Sequence, residues 1–538
     1  MRADFVLFGS NIFTSCDKKI IDGGIAIENS TIAAIDSREE IVKYVDKDTQ
    51  VYNFENQMIV PGFIDAHIHY LVSSLVKVGR ILFIDGDSEK ECVESAKELS
   101  KNIPKDQWII TQGWYLPKWK SKELPTKASL DKAFGDQPVS MQSADGHTLW
   151  INSEGLRRLK LDKDSIPPKG GGYEKDEAGE LTGVLYEAAA LSATGIIMDI
   201  EKESLKEAFI KFQDHMVMHG VTSVCDMSMM STDGEDQIKD ELYRELLEEG
   251  KLKTRLNLYP TITKNLERPL KMQENYKDDK LRFGGFKQFF DGVSSTHTAY
   301  LREPYTNAYF EGDHGMTTIE LDEMRELIFT AAEKNIQIRI HTIGDLAIHK
   351  ALDFFEEAYE KYGVPKHKNT LEHLENIYEE DMERLKVLDI VASVQPGHVL
   401  MDMKSVENDL GKERVKHMWA FREMLDSGVT LAFGTDSPII DTNPVLSVYY
   451  AVTRSDLEGD PNCGWQPHQK VSVEEAIIAH TLGSAKACGM EDKLGTLEVG
   501  KKADIVVLQS DITKIQEKYI QDVEVVMTMM DGKIVYFK

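Results

Sequence analysis

The segment Asp65-Ala66-His67-Ile68-His69 carries two imidazoles two residues apart. In an extended chain positions i and i+2 point the same way, so His67 and His69 face one side. Two neutral imidazoles aimed at one point suit Zn²⁺ or a similar divalent ion. One such pair is weak evidence, because packing and chance produce many. Three more short apolar runs end in residues of the same chemistry: IQIRIHTIGD supplies His341, NTLEHLEN supplies His373 and VTLAFGTDSP supplies Asp436. Gathered at one level, four histidines and an aspartate can surround a metal site. Asp436 also fits a second use, as the cap of a helix starting at Gly-Thr-Asp-Ser.

Lys287, inside GFKQFFDG, is the remaining candidate. Its ammonium would repel a cation and is costly to bury, so unmodified it calls for a salt bridge, with Asp291 close by in sequence. As a carbamate it becomes an oxygen ligand able to bridge two ions. The run itself does not choose between these.

Residues so far apart in sequence need a scaffold that collects them. From about residue 204, helical stretches alternate with short apolar runs: ESLKEAFIKFQDHMVMHG, DELYRELLEEGKL, LDEMRELIFTAAEKN and LAIHKALDFFEEAYEKYG have apolar residues at helical spacing. Gly220 and Gly363 sit where C-caps belong, and the pairs Thr317/Glu320 and Ser472/Glu475 have capping-box spacing. Seven apolar runs follow position 204, and MIVPGFIDAHIH (58–69) makes eight. Eight strands with intervening helices predict an α/β fold, a (β/α)8 TIM barrel, in which catalytic residues collect at the C-terminal strand ends. Residues 1–57 and 489–538 read as short strands, with a hairpin at Asp531–Gly532, and neither piece can bury a core alone. They are expected to pair into one small β-sandwich domain flanking a barrel domain of 58–488. A segment of about 80–200 reads as an insertion after the first strand; its part 167–183 reads as an ordered loop or hairpin.

The chain has 538 residues, 41 % hydrophobic and 29 % charged, with a net charge of −28. Such an acidic surface repels phosphate backbones and anionic lipid, so neither nucleic acid nor a membrane is an expected partner. Five cysteines without a CxxC pair argue for a reducing compartment and against a thiolate zinc site. Asp4 interrupts what would be a signal peptide's apolar core, and no window approaches ~18 uninterrupted apolar residues. A cytoplasmic protein with a small-molecule substrate is expected, and a homodimer is compatible with this.

The order DAHIH, Lys287 in GFKQFFDG, HTIGDLAI (341–348), LEHLEN (371–376) and GTDSP (434–438) strongly resembles the amidohydrolase superfamily. More closely the chain looks like its amidohydrolase-3 branch, the YtcJ-like and N-substituted formamide deformylase-like proteins. GWY (113–115), SADGHTLWINS (143–153), GGG…GELTGVLYE (170–187), SVQPGHVLMD (393–402) and LGTLEVGKKADIVVL (494–508) carry that resemblance over essentially the whole chain. It implies that His67, His69 and Asp436 hold one ion and His341 and His373 a second, with carbamylated Lys287 bridging; two zinc ions are expected. The family pattern after Lys287 runs DGS and then Arg-Thr-Ala, whereas this chain reads DGVSSTHTAYL. His297 is therefore a substrate-side residue peculiar to this chain or a surface imidazole.

The implied chemistry is hydrolysis of a C–N, amide-type bond by a metal-bridging hydroxide, with Asp436 shuttling the proton to the leaving nitrogen. His147 and Gln395, in loops that the family places over the pocket, are expected substrate contacts. Trp114 and Tyr115 are expected either to wall an apolar pocket or to be core residues. Two other classes fit less well: a mononuclear deaminase with Lys287 unmodified, and a non-catalytic barrel scaffold, which would be expected to have lost ligands.

Overall fold

The computed structural model describes residues 2–144, 146, 148–168, 171–229, 236–403 and 406–538. It divides into two compact units, 1–71 with 213–538, and 72–212.

Within the first unit, eight parallel strand segments carry the site: β1 (Phe63–Ile68), β2 (Val221–Met227), β3 (Arg255–Tyr259), β4 (Phe286–Phe289), β5 (Ile338–Thr342), β6 (Thr370–His373), β7 (Val391–Val394) and β8 (Leu431–Phe433). β1, β2 and β3 form one parallel sheet with the short strand Leu281–Phe283, and β4 to β8 form a second in sequence order. Parallel bridges Thr261–Lys287 and Ile68–Ser437 run from one sheet to the other. β1, β2, β3 and β5 to β8 are buried at every residue, and only Phe289 of β4 is partly accessible. That is why these strands read as apolar runs rather than as an alternation.

The helices fall close to their expected positions: Lys202–Met218, Asp240–Glu248, Leu321–Glu333 and Asp345–Tyr362. Gly363 ends the last of them at φ 86°, and Gly220 follows the first at φ 83°. Ser472 and Glu475 form the reciprocal capping box. Thr317 and Glu320 do not. Thr317 is drawn into a bridge with Asp291, and the helix starts at Leu321 with no side-chain cap.

A separate eight-stranded sheet draws on both ends of the chain, in the order Lys533–Phe537, Val525–Met530, Ile505–Leu508, Met58–Pro61, Phe5–Phe13, Ile20–Glu28 and Thr31–Asp36, with Gln50–Phe54 added beside Phe5–Phe13. Met58–Pro61, read from sequence as the start of the first barrel strand, instead pairs antiparallel with Ile505–Leu508. Gly62 separates it from β1; a side chain there would meet Thr222 Oγ1 at 2.3 Å. The Asp531–Gly532 hairpin is present, with both residues at positive φ (54° and 72°) as a two-residue turn requires. Leu7, Ile25, Ile27, Ile505, Val507, Met527 and Met529 share one core, so neither end could bury these faces alone. Arg255 of β3 ties this sheet to the parallel strands through a buried ion pair to Asp504 (2.9 Å) and a contact to Asp531 (3.3 Å).

The second unit, residues 72–212, begins and ends outside the expected 80–200. It holds a six-stranded sheet with Ile81–Phe83 at one edge and Gly171–Lys175 at the other, over a core that includes Trp114, Trp119 and Trp150. The stretch 167–183 contains part of a hairpin, Gly171–Lys175 against Leu181–Glu187.

Candidate metal centre

β1 delivers His67 and His69, and each ring is oriented from behind. His67 Nδ1 lies 2.7 Å from Glu372 Oε2, and His69 Nδ1 lies 2.9 Å from the Met227 carbonyl. A carbonyl only accepts, so His69 carries its proton on Nδ1, and a carboxylate sets the same tautomer on His67. Both Nε2 atoms, left as lone pairs, converge on Asp436 Oδ1, at 3.4 Å and 3.0 Å. Burial, reinforced by the nearby Lys287 charge, lowers the His67 pKa to about 4, which keeps its ring neutral and able to ligate.

β5 and β6 supply the other two histidines. The ladder sets His341 level with Glu372, and Thr342 level with His373. The His341 and His373 rings stand 4.4 Å apart, and the His373 ring is 5.1 Å from that of His67. His341 is lowered to about 3, again by burial first and Lys287 second. His373 has φ 73° and Asp436 φ 53°, a left-handed backbone that costs a side-chain-bearing residue energy.

Lys287 of β4 is fully buried, with its Nζ 4.7 Å from the Phe289 ring centre. Burial lowers its pKa to about 8, against the opposing pull of Glu372 and Asp436. The alternative of a salt bridge to Asp291 does not hold among the described residues. That carboxyl instead accepts the backbone N–H groups of Tyr300 (3.0 Å), Ile343 (3.0 Å) and Gly344 (2.7 Å).

Lys287 Nζ, His341 Nε2 and His373 Nδ1 are buried nitrogens without a hydrogen-bond partner among the described residues. Unsatisfied buried polar atoms are costly, and three in one place indicate a group that would complete them. His67, His69 and Asp436 place donor atoms within 4.8 Å of one another, as do His373, His398 and Asp436. Imidazole and carboxylate donors so disposed fit divalent cations.

Two members of this arrangement escaped the reading of the sequence. His398, in the loop after β7, has Nε2 3.6 Å from Asp436 Oδ2 and its ring stacked on His373. Its signal was the Gly-His pair inside SVQPGHVLMD. Glu372 precedes His373, and its carboxylate joins His67 to Arg339. Asp65 is a buried brace, accepting from the Thr435 N–H (2.9 Å), the Thr435 hydroxyl (2.6 Å) and the His67 N–H (3.2 Å).

The other expected contacts divide. Gln395 is buried just beyond β7, and its Nε2 donates to the Ser393 carbonyl at 3.5 Å. His297 is not a surface imidazole: it is buried between the Tyr305 and Tyr309 rings, 4.0 Å and 3.9 Å away, with Nδ1 2.7 Å from Asp313. Trp114 is 2 % exposed, donates to the Met141 carbonyl and packs with Trp119 and Trp150, so of its two expected roles the core one is seen. His147 lies outside the described residues.

Histidines and a carboxylate at the C-terminal ends of parallel strands in an α/β fold define a class, the metal-dependent hydrolases of TIM-barrel type. A family model described as "Amidohydrolase family" matches residues 50–536, and the chain belongs to that family. Among the proteins to which it is similar along nearly its whole length, three are informative. These are the LONG AFTER FAR-RED 3 protein of Arabidopsis thaliana (29 % identity; 99 % of this chain, 92 % of that one), the putative amidohydrolase YtcJ of Bacillus subtilis (28 %; 98 % and 99 %) and the N-substituted formamide deformylase of Arthrobacter pascens (25 %; 99 % and 98 %). Among solved structures it resembles an uncharacterized metal-dependent hydrolase from Pyrococcus horikoshii, with TM-score 0.77 and 25 % identity, over 95 % of this chain and 99 % of that one.

Proposed function

We propose that this amidohydrolase cleaves a C–N bond of the amide type in a small molecule, using two metal ions. The observation that carries this reading is the convergence of His67 Nε2 and His69 Nε2 on Asp436, beside three unsatisfied nitrogens. In this reading the two parallel sheets are one closed (β/α)8 barrel, joined at the Thr261–Lys287 and Ile68–Ser437 bridges. His67, His69 and Asp436 would hold the first ion and His341 and His373 the second, with Lys287, as a carbamate, supplying oxygen donors to both. Two zinc ions in these positions would supply Lewis acidity, polarising a carbonyl oxygen and lowering the pKa of water.

The protein's own residues then orient and move protons. Asp436 accepts the proton of the attacking water and passes it to the departing nitrogen. Its carboxylate is placed for both because its backbone is fixed by the hydrogen bond from its own N–H to the His67 carbonyl, 2.7 Å. His398, at the second Asp436 oxygen, is placed to hold the substrate carbonyl or the leaving group. Glu372 and the Met227 carbonyl keep the His67 and His69 lone pairs facing the site. The compartment we propose is the cytoplasm, where these five cysteines would stay reduced.

The test is elemental analysis of the purified protein together with a screen of N-formyl and N-acyl amines. Close to two ions per chain, and release of amine and carboxylate that chelation abolishes and zinc restores, would support the proposal. One ion per chain, an unmodified Lys287 and ammonia released from an aromatic amine would replace it with the mononuclear deaminase. The N-formyl arm is included because one relative is named as acting on N-substituted formamides.

A further inference from the structure

Glu372 is enclosed on all sides. Its side chain and those of Arg339 and His67 are between 0 % and 1 % exposed. Arg339 Nε donates to Glu372 Oε1 at 2.6 Å, and Glu372 Oε2 faces His67 Nδ1 at 2.7 Å. The guanidinium is itself held: Nη2 donates to the Ala66 carbonyl (2.8 Å) and the Ser393 hydroxyl (3.2 Å), and its plane lies 4.8 Å from the Tyr259 ring centre. One side chain from β5 thus reaches β1, β6 and β7, and the position of Glu372 follows from it.

The two histidines of β1 are therefore backed differently. His69 gives its Nδ1–H to a neutral carbonyl, His67 to a carboxylate. Hydrogen bonds to an ionised acceptor are about twice as strong as neutral ones and push electron density toward the far ring nitrogen, making it a better ligand. A carboxylate buried alone would take up a proton and lose that effect. The Arg339 charge prevents this, since a fork-shaped guanidinium is matched to a carboxylate.

We propose that Glu372 is a positioning residue of the metal centre: held as an anion by Arg339, it fixes the tautomer of His67 and makes His67 Nε2 the stronger of the two β1 ligands. The inference rests on the reading of His67 as a ligand. Its rival is that Arg339 and Glu372 only brace four strands.

The test is titration of the chelated, metal-free protein with Co²⁺, following visible absorption and competition with a chromophoric chelator. Glu372→Gln leaves Arg339 buried without a partner and can unfold the protein. The double variant Arg339→Met with Glu372→Gln removes both charges together, which proteins tolerate far better than half a pair. Expected are a roughly 10- to 100-fold weaker first ion and an altered Co²⁺ spectrum in the double variant, with thermal unfolding near wild type. A folded double variant with wild-type affinity and spectrum would overturn the proposal and leave Glu372 a brace. A folded wild-type protein that binds no Co²⁺, or a His67→Ala variant that binds it as well as wild type, would remove the underlying reading of the site instead.

Discussion

Asp436 and His67 are joined through the backbone and face each other through their side chains: the Asp436 N–H donates to the His67 carbonyl at 2.7 Å, and His67 Nε2 lies 3.4 Å from Asp436 Oδ1. The backbone link continues from His69 N–H to the Ser437 carbonyl (2.9 Å). These two candidate ligands, from different strands, therefore cannot separate without breaking backbone hydrogen bonds, and the candidate site is preorganised by the ladder itself.

His67→Ala and His69→Ala are expected to lose bound metal and activity by more than the ~10- to 100-fold that an outer partner costs, while circular dichroism stays near wild type. Full metal content together with full turnover in either variant would show the site to be elsewhere.

Lys287→Ala is expected to lower metal content from about two ions toward one. Lys287→Arg should do the same despite keeping the charge, because a guanidinium does not form the carbamate. Short-chain carboxylates should recover part of the activity in Lys287→Ala. Mass and metal analysis of the intact protein decide the matter: two tightly held ions in Lys287→Ala would mean that the bridge is another group.

Gly434 precedes the Thr435–Asp436 turn, and a Cβ there would sit 2.6 Å from the His67 nitrogen and 2.8 Å from its Cβ. Gly434→Ala must push β8 away from β1. The expected result is a loss of about 1–3 kcal/mol in stability together with weakened metal binding. Unchanged unfolding and unchanged metal affinity would show that the strands have slack.

Asp531 predicts how the contact between the end sheet and the parallel strands responds to acid. Burial alone would raise its pKa, but the hydrogen bond from Lys280 and the charge of Arg255 bring it down to about 2. The folded value lies below the unfolded one, so its stabilisation is complete above about pH 4 and disappears as pH falls toward about 2. That difference corresponds to about 2 kcal/mol. Asp531→Asn, which tolerates the same left-handed backbone, should be less stable at pH 7 by up to that amount, with the gap shrinking as pH falls below about 4 and closing below about pH 2. A gap in denaturant midpoint that stays constant across that range would refute the assignment.

Much of the site was legible because β1 obeys the two-residue period: His67 and His69 face one way, and their spacing alone said so. His341, His373 and Asp436 were legible as ends of apolar runs that must be buried strands. Glu372 was not. Alternation puts residues 372 and 373 on opposite faces, yet Glu372 bonds the His67 ring and the His373 ring stands 5.1 Å from it. The backbone at His373 is left-handed where this happens, and no composition rule forecasts φ 73° at a histidine. Met58–Pro61 was misassigned for a related reason. An apolar run records that a strand is buried, and it does not record which sheet buries it.

The sheet that spans both ends of the sequence also sets an order of assembly. Met58–Pro61 has Ile505–Leu508 as one neighbour, and β1 meets the β8 turn at Ser437. A ribosome releases His67 and His69 hundreds of residues before Asp436, and the strand that pairs with Met58–Pro61 follows later still. During that interval the early strands have one another but lack the part of their core that Ile505, Val507, Met527 and Met529 supply, a condition under which nascent chains aggregate or recruit chaperones. In the proposed ligand set the first ion could not shorten this wait, because Asp436 joins His67 and His69 only when β8 has been made; its loading would then be a late event that reports a nearly finished chain.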